Sequence, residues 1–205
     1  IIEILDEEVM LQRHWLNVLD PFAGTGRVHS LLCGETWGVE LEPEWATLHP
    51  RTLVGDALEL PFREESFDAI VTSPTYGNRM ADHHDAKDGS ERNTYKHKLG
   101  RDLHPHNSGQ FQWGQKYRGF HQAAWEEVWR TLKPGGLFVL NVSDHIRKGV
   151  VQPVAKWHRD TILESFDCKL ENEFTVNTPR NGFGQNGSVR VEHEFVYTIR
   201  KLLDA

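Results

Sequence analysis

The stretch "NVLDPFAGTGRVHSLLC" (residues 17–33) runs from a short apolar segment through a glycine-rich turn into a helical pattern, and that order recurs down the chain. A strand is expected over 17–22 and a helix from Gly26, with Val28, Leu31 and Leu32 on one face. "TWGVEL" (36–41) reads as a second strand, with a short helix in "PEWATL" after it. "RTLVGDALEL" supplies a third strand ending near Asp56, and "SFDAIVTS" a fourth. Strands separated by short helices need right-handed crossovers, so the expected fold is α/β, a parallel sheet covered on both faces. With 205 residues the chain suits one domain, 1–205.

Between Gly77 and about Gly119 the periodicity lapses. The segment is polar and rich in His, Asn, Asp and Lys, and is expected to form an inserted lid or substrate loop over about 78–118. Beyond it, "FHQAAWEEVWRTL" carries Phe120, Ala124, Val128 and Leu132 in helical register. It stops at "KPGG", with Lys133 facing the helix C-terminus. "LFVLNVSD" reads as a fifth strand and "QPVAKWHRDTILESF" as a further helix. "KLENEFTV" and "HEFVYTIR" follow as two strands joined by the Gly/Asn-rich loop "NTPRNGFGQNGS".

A net charge of -7 offers no broad basic surface, so a nucleic-acid enzyme built this way must use a local basic patch, weak binding or a partner. No apolar run approaches the ~20 residues that span a bilayer, and nothing resembles a secretory signal. A cytoplasmic protein of bacterial or phage origin, with no membrane partner, is expected. Cys33 and Cys168 have no metal-ligand spacing and are not expected to pair. The chain starts at Ile1 rather than Met, so further N-terminal sequence is expected.

Glycines between a strand and a helix let the backbone pass close to a ligand at the carboxyl edge of the sheet. Asp20, Phe22, Ala23, Gly24 and Gly26 occupy that turn. Glu40 ends the second strand, where a carboxylate can accept from both hydroxyls of a ribose, and Asp56 ends the third, placed to accept from an adenine amino group. Three acids on three successive strand ends describe a nucleoside-shaped slot. The dinucleotide fingerprint is broken by His29, and no phosphate-binding G-x-x-x-x-G-K-[ST] is present. A cofactor with adenosine but no pyrophosphate fits these residues better.

Taken in order, "DPFAGTG", "GVELEPEW", "GDALELPF", "FDAIVTSPTYG" and "LKPGGLFVLNVSD" resemble the class I S-adenosylmethionine-dependent methyltransferases. "DPFAGTG" followed by "SPTYG" resembles the branch that methylates exocyclic amino groups of DNA bases, and the closing "EHEFVYTIRK" is similar to its last strand. The resemblance implies a Rossmann-like, mostly parallel seven-stranded sheet with helices on both faces and an antiparallel C-terminal strand. It implies S-adenosyl-L-methionine as cofactor, held by Asp20, Phe22, Ala23, Gly24 and Gly26, with Glu40 on the ribose, Asp56, Ala57 and Leu58 on the adenine, and Ser73 at the cofactor edge. In the family's [D/N/S]-P-P-[Y/F] turn, Ser73, Pro74 and Tyr76 match the catalytic positions, and Thr75 stands where a second proline is usual.

An exocyclic base amine is a poor nucleophile because its lone pair is delocalised into the ring. The Ser73 hydroxyl and Pro74 carbonyl can accept its hydrogens and expose electron density toward the cofactor methyl, so that catalysis is positioning and electrostatics. Tyr76 would stack on a base extruded from the helix. Serine in the first position leans toward N4 of cytosine, although N6-adenine enzymes belong to the same branch.

In and beside the 78–118 insert stand His83, His84, His97, His104, His106 and His121, but no cysteines or Cys/His quartet accompany them, and no metal is expected. Arg79, Lys87, Arg92, Lys96, Lys98 and Arg101 alternate with Tyr95, Phe111, Trp113 and Tyr117. That pattern suits contact with extruded or single-stranded bases, or a lid packing its own aromatics. Asp144 and His145 follow the fifth strand, either as an acid–base pair or as caps. Arg79, Arg180 and Asn181 are candidate substrate contacts. The expected activity is methyl transfer to an exocyclic amine of DNA. RNA base methylation, protein glutamine methylation and a non-catalytic cofactor-binding subunit stay open, as do a homodimer and a separate target-recognition partner.

Overall fold

A computed structural model describes residues 17–32, 34–77, 94–178 and 191–203. Seven strands form the main sheet: β1 (Asn17–Asp20), β2 (Glu35–Glu40), β3 (Thr52–Val54), β4 (Phe67–Thr72), β5 (Leu132–Val142), β8 (Cys168–Asn177) and β9 (His193–Lys201). Their order is β3-β2-β1-β4-β5-β9-β8. The first five pair in parallel, and β9 lies antiparallel between β5 and β8. This is the mostly parallel sheet with an antiparallel C-terminal strand that the motifs imply. Val18 and Leu19 point to opposite faces of β1 and both are fully buried, which explains why the central strands read as unbroken apolar runs.

On one face, α3 (Gln115–Thr131) and α4 (Val154–Ser165) pack over Leu19, Ile70, Phe138 and Leu140. On the other, Val18, Ala69, Val71 and Val139 meet Val28, from a single 3-10 turn (Arg27–Ser30), and Leu31 just after it. The helix expected from Gly26 is therefore only that turn. Leu32 is exposed rather than on its buried side. Helix α3 begins five residues before the expected start and buries Tyr117, His121, Ala124, Trp125 and Val128. It ends at Thr131, and Leu132 already pairs with Phe67, while pairing resumes at Leu137 with Ala69. Lys133 does not face the helix end; it pairs with Asp68 at 2.6 Å.

The remaining elements gather at the carboxyl edge of the sheet. A short helix α1 (Pro43–Ala46) follows β2, and α2 (Tyr95–Leu99) opens the described part of the insert. A small hairpin, β6 (His145–Arg147) with β7 (Val150–Gln152), follows β5 and has no counterpart in the sequence reading. The insert from residue 94 onward folds onto the domain. Phe111, Trp113 and Tyr117 are buried, so of the two uses considered for these aromatics the structure selects packing. No helix among the described residues is long and apolar enough to cross a membrane.

His121 is completely buried among Phe22, Tyr117, Phe120, Trp125 and His158, and desolvation pushes its pKa down from 6.5 to about 4. A folded-state value below the unfolded one means that this site disfavours folding increasingly as pH falls from 6.5 through 4. His121→Phe should therefore gain stability relative to the parent as the medium is acidified. The gain should reach on the order of 2–3 kcal/mol near pH 4. Urea midpoints of both proteins at a series of pH values measure it, and a pH-independent difference would refute the assignment.

Candidate active site

A cavity of about 320 Å³ opens at the strand ends, within the size range of small-molecule sites. Asp20, Phe22, Ala23, Gly24, Glu40, Asp56, Ala57 and Ser73 all line it. Gly26 and Leu58 do not. Gly26, at φ 81°, closes the turn by donating its N–H to the Ala23 carbonyl, and Leu58 packs against the core. Gly24 has φ 52° and open space where a side chain would stand, so the turn presents bare backbone to the cavity.

Carboxylates hold that turn. Asp20 Oδ1 accepts from Phe22 N at 2.9 Å and from Thr72 Oγ1 at 2.6 Å. Glu40 Oε2 accepts from Gly24 N at 2.8 Å, and its Oε1 from Glu42 N at 2.9 Å. Burial pushes Asp20 up to about 7, against the donors from Thr72 and Phe22, with Glu40 adding to the rise. Glu40 is raised for the same first reason. Asp56 accepts from Leu58 N at 3.0 Å through one oxygen and meets His106 Nδ1 at 3.1 Å through the other.

The insert walls the cavity's outer side. Tyr95, Lys98, His106, Asn107 and Ser108 line it. The fully buried Glu42 ties them down, accepting from His104 N at 2.9 Å and Asn107 Nδ2 at 2.8 Å, with Arg101 Nη2 2.8 Å from its other oxygen. Within "GVELEPEW" nothing local marks Glu42 for this role. Its partners are about sixty residues away, and only the fold reveals them.

Of the second predicted group, Ser73 lines the same cavity, whereas Pro74 and Tyr76 are not among its lining residues. Ser73 Oγ is 3.0 Å from Tyr76 Oη and accepts from Asn141 Nδ2 at 3.2 Å. Asn141 also donates to Glu194 Oε2 at 2.9 Å. Neither Asn141 nor Glu194 was singled out from sequence, though both lie in quoted segments, on β5 and β9. Asp144 takes the capping role: its Oδ1 accepts from Ala155 N at the start of α4, at 2.8 Å. His145 lies against the Tyr76 backbone, its pKa lowered chiefly by burial. Arg79, Arg180 and Asn181 lie outside the described residues. Among the described residues no group of three or more His, Cys, Asp or Glu could hold a metal ion.

Residues 67–202, more than half the chain, match the sequence model of a family described as DNA methylase. The chain belongs to the DNA methylase family. Solved structures agree on the fold. The N-methyltransferase NodS from Bradyrhizobium japonicum is 13% identical, with a TM-score of 0.58 over 98% of this chain and 92% of that one. A SAM-dependent methyltransferase from Methanosarcina mazei is 14% identical, with a TM-score of 0.58 over 93% and 94%. The [4+2]-cyclase SpnF is 13% identical and reaches 0.60 over 99% and 81%. No curated protein matches the sequence.

The protein is thus a class I methyltransferase whose methyl donor is S-adenosyl-L-methionine. The residues present fit that cofactor. A bare glycine backbone, an acceptor on each of three strand ends, and apolar Phe22, Ala57 and Phe120 surround one space. A cationic sulfonium entering a cavity lined by Asp20 favours the carboxylate over the acid form, so binding should release a proton. Affinity for S-adenosylmethionine should rise by up to about tenfold between pH 6 and 8, and Asp20→Asn should flatten that rise. Titration calorimetry across the pH range tests this; a pH profile unaltered in Asp20→Asn would refute the role given to Asp20.

Proposed function

We propose that this methyltransferase acts on an exocyclic amine of a DNA base, N4 of cytosine or N6 of adenine. The observation that carries the reading is that Ser73, first residue of the Ser-Pro-Thr-Tyr turn, lines the same cavity as Asp20, Gly24 and Glu40. Donor and acceptor positions therefore share one space, and the family match points to DNA. Bound S-adenosylmethionine supplies an electrophilic methyl group. The chain's own part is to present the amine: the Ser73 hydroxyl and Pro74 carbonyl accept its two hydrogens and turn the nitrogen lone pair toward the cavity. Tyr76 offers a ring for the extruded base, and its hydroxyl, beside Ser73 Oγ, fixes where that ring sits.

A net charge of -7 suits a substrate held by base contacts at the mouth or delivered by a partner. Labelled-methyl transfer to DNA, RNA and protein in parallel, with mass analysis of the modified nucleoside, tests the reading. DNA should be labelled, and Ser73→Ala should lower kcat by about 10²-fold while leaving cofactor affinity unchanged. Label appearing only in RNA or in protein glutamine would reassign the substrate. Undiminished transfer by Ser73→Ala would remove serine from the mechanism, and cofactor binding without any transfer would favour a non-catalytic subunit.

A further inference from the structure

Threonine stands at position 75 where a second proline would otherwise stiffen the turn, and the fold surrounds that residue with anchors. Thr75 Oγ1 shares a 2.9 Å hydrogen bond with Ser108 Oγ. The Thr75 carbonyl accepts from Tyr117 Oη at 2.6 Å. Two residues on, the Gly77 carbonyl accepts from Trp113 N at 2.7 Å. Gly77, at φ 66°, lies so close that a Cβ there would meet Trp113 N at 3.0 Å. All three anchors come from residues 108–117.

The bond from Tyr117 has a fixed direction. Trp125 Nε1 can only donate, and it meets His158 Nδ1 at 3.2 Å. His158 Nδ1 is therefore the bare nitrogen, and the neutral ring carries its proton on Nε2. That N–H donates to Tyr117 Oη at 2.7 Å, which leaves the tyrosine hydrogen for the Thr75 carbonyl. Tyr117, Trp125 and His158 are all 0% exposed, so no water competes for these groups. Burial keeps His158 neutral, as this arrangement requires. A row of buried hydrogen bonds running one way cannot slip without stranding a polar group.

We propose that Tyr117, oriented by Trp125 and His158, is a positioning residue that fixes the Ser73–Tyr76 turn in place of a second proline. A proline at 75 would set φ covalently at about -65°. The tyrosine instead fixes the peptide plane after residue 75 from outside the turn, and Ser108 holds the side chain. The catalytic consequence rests on reading this turn as the amine acceptor; the anchoring of the turn does not.

A double-mutant cycle of Tyr117→Phe and Thr75→Pro in the full chain, read in two ways, tests the proposal. Tyr117→Phe keeps the ring in the core and deletes one O–H. It should lower kcat for methyl transfer to DNA about tenfold, with S-adenosylmethionine affinity within about twofold of the parent. In the Thr75→Pro background, where the Ser108 bond is already lost and φ is set by the ring, the same change should cost less than about threefold. Amide hydrogen exchange at Tyr76 and Gly77 should quicken in Tyr117→Phe and slow again in the double variant. Equal acceleration of exchange in both backgrounds overturns the proposal, because general loosening of the core ignores residue 75. If the parent protein methylates no DNA, the exchange cycle still decides the anchoring, and only the amine-acceptor reading falls.

Discussion

Asp20 and Thr72 end the two neighbouring strands at which the sheet order turns back on itself, and a 2.6 Å hydrogen bond joins them. The chain leaves β1 toward β2 on one side and leaves β4 toward β5 on the other, so a crevice opens above this pair. Keeping a carboxyl there is unfavourable, which is why burial drives Asp20 toward its acid form even with two donors on one oxygen. What that cost secures is registration. Phe22 N hangs from the same oxygen, Gly24 N from Glu40, and Ser73 begins one residue after Thr72. The glycine-rich loop and the Ser73–Tyr76 turn thus leave adjacent, directly paired strands, and this bond joins them at the strand ends.

The parts of this site that sequence reveals are those whose partners are near neighbours in the chain. "DPFAGTG" and "SPTYG" each carry their geometry within a few residues, as glycines of positive φ and as a polar turn at the end of a buried strand. Asn141, Glu194, Tyr117 and His158 do not. Each is an ordinary residue of a helix or strand, and its function exists only because β5 pairs with β9, or because α3 packs beside α4. The same distinction explains why the insert shows no pattern in the sequence. Residues 94–111 lack periodicity because side chains, not a repeating pattern, shape them. Thr94 caps α2, Asn107 Oδ1 accepts from Gly109 N, and Glu42 holds three separate points. Phe111, Trp113 and Tyr117 alternate with cations as base-stacking residues would. In the fold Lys116 lies over the Phe111 ring and Arg118 over the Trp113 ring, so these two rings make internal cation–π contacts.

Architecture alone does not set the reaction, since the same fold is shared with a [4+2]-cyclase and with N-methyltransferases. The reaction depends on the groups at the cavity, and the hydrogen bonds around Ser73 constrain what they can do. A carboxylate oxygen accepts, so the Glu194 contact requires the NH₂ end of Asn141 to face it. The opposite orientation would set Asn141 Oδ1 against Glu194 Oε2, and Oδ1 is instead left buried without a partner among the described residues. Once that end is fixed, Asn141 must donate to Ser73 Oγ and occupies one of its two lone pairs. If Tyr76 donated as well, Ser73 could only give a hydrogen away, and an amine would find no acceptor. Under the proposed function the serine would accept from the amine once its own hydrogen goes to Tyr76 Oη, which leaves one lone pair free. Glu194, on β9, thereby fixes which end of Asn141 faces the Ser73 hydroxyl just past β4.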